Sequence, residues 1–145
     1  MNRAAPLSAV VGIISATTVL AHSGVTNPDV KARMELMERI SDATKVIGNM
    51  AMGRMTYEAA TAQKAGRALA DHAMQIPQAF EARVTDPKSE ARATIWDDFS
   101  RFSAQADTLA KAAGKAAEAT DATSLKSSFP AVARTCRSCH EAFRD

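Results

Sequence analysis

Aromatic residues make up only 5% of the 145-residue chain, with one Trp and one Tyr, and glycine (6) and proline (5) are scarce. This disfavours a β-sandwich or barrel, which needs β-branched and aromatic strands and many turns. No block of one charge sign stands out. Eighteen Lys and Arg are interspersed with sixteen Asp and Glu, for a net +2. Nothing therefore marks a binder of nucleic acid or of an anionic membrane. What the chain does have is alanine, 31 residues of it, within a 46% hydrophobic composition. Global disorder is excluded, and closely packed helices in one modest domain are favoured.

One long apolar run exists, from Leu7 to Leu20. It follows the lone charge of Arg3, and Val19-Leu20-Ala21 places small residues before a cut after Ala21. The layout of residues 1–21 is that of a cleaved secretory signal peptide. The run is short for a full span, and its Ser and Thr residues weaken it as an anchor. The mature chain, 22–145, is then expected to be exported, to carry net +1, and to hold no further membrane span.

Four helices and no strand are expected. The first runs from about Pro28 to Met52, with Asn27 as N-cap and Gly53 as the stop. Its apolar stripe is Leu36, Met37, Ile40, Ala43, Thr44, Ile47 and Met50. The second runs from about Tyr57 to Gln75, capped by Thr56, and carries Ala62, Gly66, Leu69, Ala73 and Ile76. Residues 77–91 read as the longest connection, with Asp86-Pro87 as its turn signal. The third runs from about Ala91 to Ala117 with Ile95, Phe99, Phe102, Ala106, Leu109 and Ala113 inward. The fourth starts near Asp121 and ends near Phe143, with Leu125, Phe129, Val132, Cys136, Cys139 and Phe143 in line. Pro130 should remove one hydrogen bond inside it. Four helices of this length, each with one stripe to bury, predict an all-α, antiparallel up-down-up-down four-helix bundle.

Cys136-Arg137-Ser138-Cys139-His140 is a C-x-x-C-H motif, the signature of c-type haem attachment. On a helix, the two thiols lie about 60° apart and His140 follows Cys136 by one turn. The thiols can add to the two vinyl groups of one porphyrin, while the imidazole reaches the iron from the same side. A disulfide at this spacing would close almost no loop. A redox C-x-x-C belongs at a helix N-terminus after a strand. A structural zinc site needs four ligands, and only His72 and His22 remain. The motif thus calls for one covalently bound haem c, held near the C-terminal end of the fourth helix by Cys136 and Cys139. His140 is its proximal iron ligand.

A C-x-x-C-H at the far end of an exported four-helix chain resembles the cytochrome c′ family. The ending CRSCHEAFR (136–144), the Ile95-Trp96 pair and the Gly48…Gly53 spacing carry the likeness, which covers residues 28–145. The resemblance implies a left-handed antiparallel bundle with haem between the helices, often as a homodimer. It also implies that the first helix decides the chemistry. Typical members place an apolar residue over the iron and bind nitric oxide or carbon monoxide at five-coordinate, high-spin haem. A low-spin branch, the cytochromes c-556 and c-554, presents Met, and counting back from Gly48 puts Met37 at that position.

Helical geometry alone places Met37 about 60° from the stripe's centre and Met34 about 120° away. Met37 is the better candidate and Met34 the fallback, while core packing is the ordinary fate of a helical Met. With His and Met ligands the reading is a periplasmic electron-transfer cytochrome. The alternative is a five-coordinate cytochrome c′ that binds nitric oxide or carbon monoxide, and a weaker third reading is a haem-free helical protein. No general base, nucleophile or substrate pocket is identifiable, so an enzyme is not expected. Redox partner proteins are implied, without identity. Trp96 and Arg144 are candidate haem contacts, Arg144 through a propionate. Arg33 could serve a propionate too, though a helix-surface Arg is usually solvated. His72 reads as a solvated or satisfied histidine, and His22 as a weak candidate for copper.

Overall fold

The computed structural model describes residues 24–145; the expected leader 1–21 and His22 lie outside the described residues. Five α-helices follow one another: α1 Pro28–Ala51, α2 Ala59–Ala79, α3 Thr94–Asp97, α4 Phe99–Ala117 and α5 Ala122–Phe143. Among the described residues there is no strand, only an isolated antiparallel bridge between Ala91 and Arg144. The four long helices close into a ring in which α1 packs on α2, α2 on α4, α4 on α5 and α5 back on α1. None of them is long and apolar enough to cross a membrane.

The helix ends follow local chemistry. Asn27 caps α1, its side-chain oxygen accepting from the amides of Asp29 (3.0 Å) and Val30 (3.2 Å), with Pro28 at the first position. Gly53, at φ +70°, ends α1 in a Schellman turn: Arg54 N–H donates to Asn49 O and Gly53 N–H to Met50 O. A capping box between Asp121 and Ser124 opens α5.

Two helices differ from the sequence expectation. Helix α2 starts at Ala59 with Glu58 at the N-cap, not at Tyr57 with Thr56 there, and continues past Gln75 through Pro77 to Ala79. A proline that near the end removes one hydrogen bond from a turn already packed in the core, so it does not stop the helix. The expected third helix is two pieces. Asp98, at φ −134° and ψ 56°, leaves the helical region, and its carboxylate accepts from Arg101 N–H, recapping the chain as α4. The short α3 thereby turns Ile95 into the core, where it is 2% exposed.

The core follows the expected stripes. Ile47, Leu69, Ala73, Ala113, Leu125 and Val132 are fully buried. The α2–α4 seam is tight because its residues are small: Gly66 faces Ala117. Phe102 joins Phe80 (5.0 Å between centroids) to Phe143 (5.3 Å, edge to face) below the C-terminal end of α5.

Candidate haem site between the first and last helices

The bundle does not fill its own centre at this end. A cavity of about 770 Å³ opens between α1, α5 and the segment 80–93. It falls within the range of small-molecule and cofactor clefts, about 300–1,000 Å³. Its α5 wall is Phe129, Cys136, Cys139 and His140, its α1 wall includes Met34, Met37, Ile40 and Gly48, and its floor includes Phe102 and Phe143. The stripe of α5 splits at this point. Leu125 and Val132 are buried in protein away from the cavity, while Phe129, Cys136 and Cys139 stay half-buried and line it. Gly48 is needed for the shape: a Cβ there would come within 2.8 Å of Phe129 Cζ.

Burial disfavours the charged forms of the site's two thiols and its imidazole. Burial pushes both thiols above their ordinary pKa, and for Cys139 the neighbouring Cys136 adds to it. The shift runs opposite to that of the activated thiols of a redox pair, and no disulfide joins the two. Burial, then the Arg144 cation, lower the pKa of His140, while Glu90 opposes the shift. A neutral imidazole keeps a lone pair free for iron. Among the described residues no group of three or more His, Cys, Asp and Glu is arranged to hold a bare metal ion. The donors fit a macrocycle that brings its own four nitrogens.

Each expected site residue can be placed. Cys136, Cys139, His140, Met37 and Met34 share the cavity. Met37 also packs against the core cluster, which Met34 does not. Arg144 lines the cavity and forms an ion pair with Glu90, with about half of its side chain exposed. Trp96 is not among the residues that line the cavity; its indole N–H donates to Phe80 O at 2.8 Å, and its ring lies under Arg33, which does line it. Arg33 is a correction, because it is buried rather than solvated (3% exposed) and donates to three backbone carbonyls. The spacing Val30, Arg33, Leu36, Ile40 had put it on the inward face. His72 is half-buried, and its Nδ1 is buried without a hydrogen-bond partner among the described residues.

An all-helical bundle whose last helix turns C-x-x-C-H into an apolar cavity is the architecture of a c-type cytochrome. The model of the family described as cytochrome C′ matches residues 29–144. The chain is 36% identical to a cytochrome c′ of Rhodopseudomonas palustris over 83% of this chain and 84% of that one. It is 28% identical to a cytochrome c-556 of Agrobacterium tumefaciens, over 78% and 91% respectively. The solved cytochrome c′ of Rhodopseudomonas palustris superposes with a TM-score of 0.74 at 29% identity, covering 83% of this chain and 98% of the other. The chain belongs to the cytochrome c′ family, a family of c-type cytochromes with covalently attached haem c and its iron.

Proposed function

We propose that this protein is a periplasmic electron carrier whose haem iron is held between His140 and Met37. The observation that carries the reading is that Met37, from α1, lines the same cavity as Cys136, Cys139 and His140 while packing against the core. In this reading Cys136 and Cys139 hold the haem as thioethers and His140 is the proximal ligand. Met37 is the distal ligand, a soft thioether that favours the reduced iron. When bound, the haem supplies a reversible one-electron change. The chain does the rest. Phe102, Phe129 and Phe143 exclude water, and Arg144 sits at the mouth within reach of carboxylate groups. Lys45, Arg54 and Lys88 stand around the same cavity. A leader over 1–21 delivers the chain to the compartment where haem c is attached, and its partners there are redox proteins.

A second reading has its own support, since the named relatives include cytochromes c′ as well as a cytochrome c-556. In it Met37 only packs, and the distal side takes nitric oxide or carbon monoxide. The visible spectrum of the purified holoprotein decides. Sharp low-spin bands with a weak near-red Met–iron band support the carrier; a high-spin ferric spectrum replaces it with the gas binder.

A further inference from the structure

The helix that carries Met37 is anchored, over its first turns, to a single stretch of chain, and the anchor is a pair of opposite charges. Arg33 lies one turn before Met37. Its Nε donates to Ala79 O at 2.8 Å, Nη1 to Val84 O at 2.9 Å and Nη2 to Ala82 O. Its guanidinium lies 4.8 Å from the Phe80 ring and 5.2 Å from that of Trp96. Asp86 works in the other direction. Its carboxylate accepts from Thr26 N (2.9 Å), Thr26 Oγ1 (3.1 Å) and Asn27 N (3.2 Å) ahead of α1, and from Lys88 N (2.9 Å) within its own loop. A cation from α1 therefore grips the loop, and an anion from the loop grips the chain entering α1.

The far end of that loop is tied to α5. Arg92 N–H donates to Phe143 O at 3.0 Å and Asp145 N–H to Glu90 O at 2.9 Å. Arg144 pairs with Glu90, and Thr94 Oγ1 donates to Ala142 O at 3.3 Å. His140 lies two to five residues before Ala142, Phe143, Arg144 and Asp145. Residues 80–93 thus span from the helix of Met37 to the helix of His140, and Arg33 is the deepest fixed point on the Met37 side. A thioether competes for iron through its effective concentration there, and a small displacement of its helix lowers that concentration steeply.

We propose that Arg33 is the positioning residue for the distal ligand: it seats α1 on residues 80–93 and thereby holds Met37 against an iron carried by His140. This rests on the Met37 reading above. Arg33 sets how much of the protein is closed carrier and how much is open to gases. The role needs the planar fork as well as the charge, since a lysine ammonium is a point donor that cannot span three carbonyls in one plane.

The test uses the holoprotein with Arg33→Lys. Its ferric spectrum should gain a high-spin fraction, and the ferrous protein should bind carbon monoxide at least about tenfold more tightly. In a Met37→Leu background the same change should add nothing, since no ligand is left to position. Asp86→Asn should move spectrum and affinity in the same direction by less, and it decides the question should Arg33→Lys not accumulate with haem. If the variants melt earlier but keep the parent's low-spin spectrum and carbon monoxide affinity, Arg33 is merely structural and the inference falls. If the parent protein is itself high-spin, the Met37 reading falls and takes this inference with it. A low-spin parent that Met37→Leu opens and Arg33→Lys does not leaves that reading standing and overturns only the role of Arg33.

Discussion

Gly66 on α2 lies so close to Ala117 on α4 that a Cβ at position 66 would sit 2.7 Å from the Ala117 Cα. Backbone, not a flexible side-chain end, occupies the space, so the seam cannot yield locally. Gly66→Ala should therefore destabilise the protein by about 1–3 kcal/mol despite the better helix propensity of alanine. Gly114, on α4, has nothing within 4 Å of its own Cβ position. Gly114→Ala should stabilise by about 0.5–1 kcal/mol. Thermal melts of the two variants followed by far-ultraviolet circular dichroism should move in opposite directions, and a matching shift would disprove the close approach.

Met37→Leu removes the soft donor at nearly constant volume. The loss of packing energy should stay under about 1.5 kcal/mol, while the iron becomes five-coordinate and largely high-spin and the potential falls. The vacated side should then bind carbon monoxide. Met34→Leu, from a side chain that lines the cavity without seating on the core, should keep the low-spin spectrum. A high-spin product from Met34→Leu alone would show that the ligand is Met34.

Covalent attachment through Cys136 and Cys139 predicts that acid–acetone extraction leaves the colour with the polypeptide. Each single Cys→Ala change should leave one thioether and still retain haem. The double change should leave it held by His140 and packing, and extraction should then carry it into the organic phase. Colour in that phase from the unaltered protein would refute the attachment.

Asp86 gives the protein a stability term with a defined acid limit. Backbone amides of Lys88 and Thr26, the strongest of its partners, stabilise the charged carboxylate and hold its pKa at about 2, below the ordinary 3.8. A carboxyl with a lowered folded-state pKa stabilises the fold fully above its unfolded value, and that contribution fades as pH falls from 3.8 towards about 2. Asp86→Asn should thus be most destabilising near neutral pH, and the gap to the parent should narrow with acidification. Denaturation midpoints across that range read the gap directly, and a constant difference would mean that the amide bonds do not favour the charged form.

Much of this was legible in the chain itself. The stripes of α1, α2 and α5 repeat at helical spacing, and their caps at Asn27, Gly53 and Asp121 are local chemistry, so helix positions could be read without tertiary knowledge. The break at Asp98 could not, because Asp98 competes as a cap only where α3 must turn Ile95 inward. The chemistry of Cys136, Cys139 and His140 was explicit, since attachment constrains both residue type and spacing. Arg33 was harder to read: a buried cation is favourable only when carbonyls distant in sequence converge on it, and Ala79, Ala82 and Val84 converge there only in the folded loop. The hydrogen bond of Trp96 to Phe80 O was illegible for the same reason, as it exists only once the chain has folded.

The cavity's two principal walls are the first helix and the last, with α2 and α4 between them in the chain. In folding terms the site is the product of the longest loop the domain has to close. That closure costs little more than a shorter one, since each doubling of loop length adds only about 0.6 kcal/mol, and the small-residue seam of α2 and α4 joins segments closer in sequence. A chain stopped before α5 would lack that wall of the cavity. Damage to the Gly66 seam should therefore be felt throughout the fold, whereas loosening the contact between the chain's two ends should open the site and leave the seam intact.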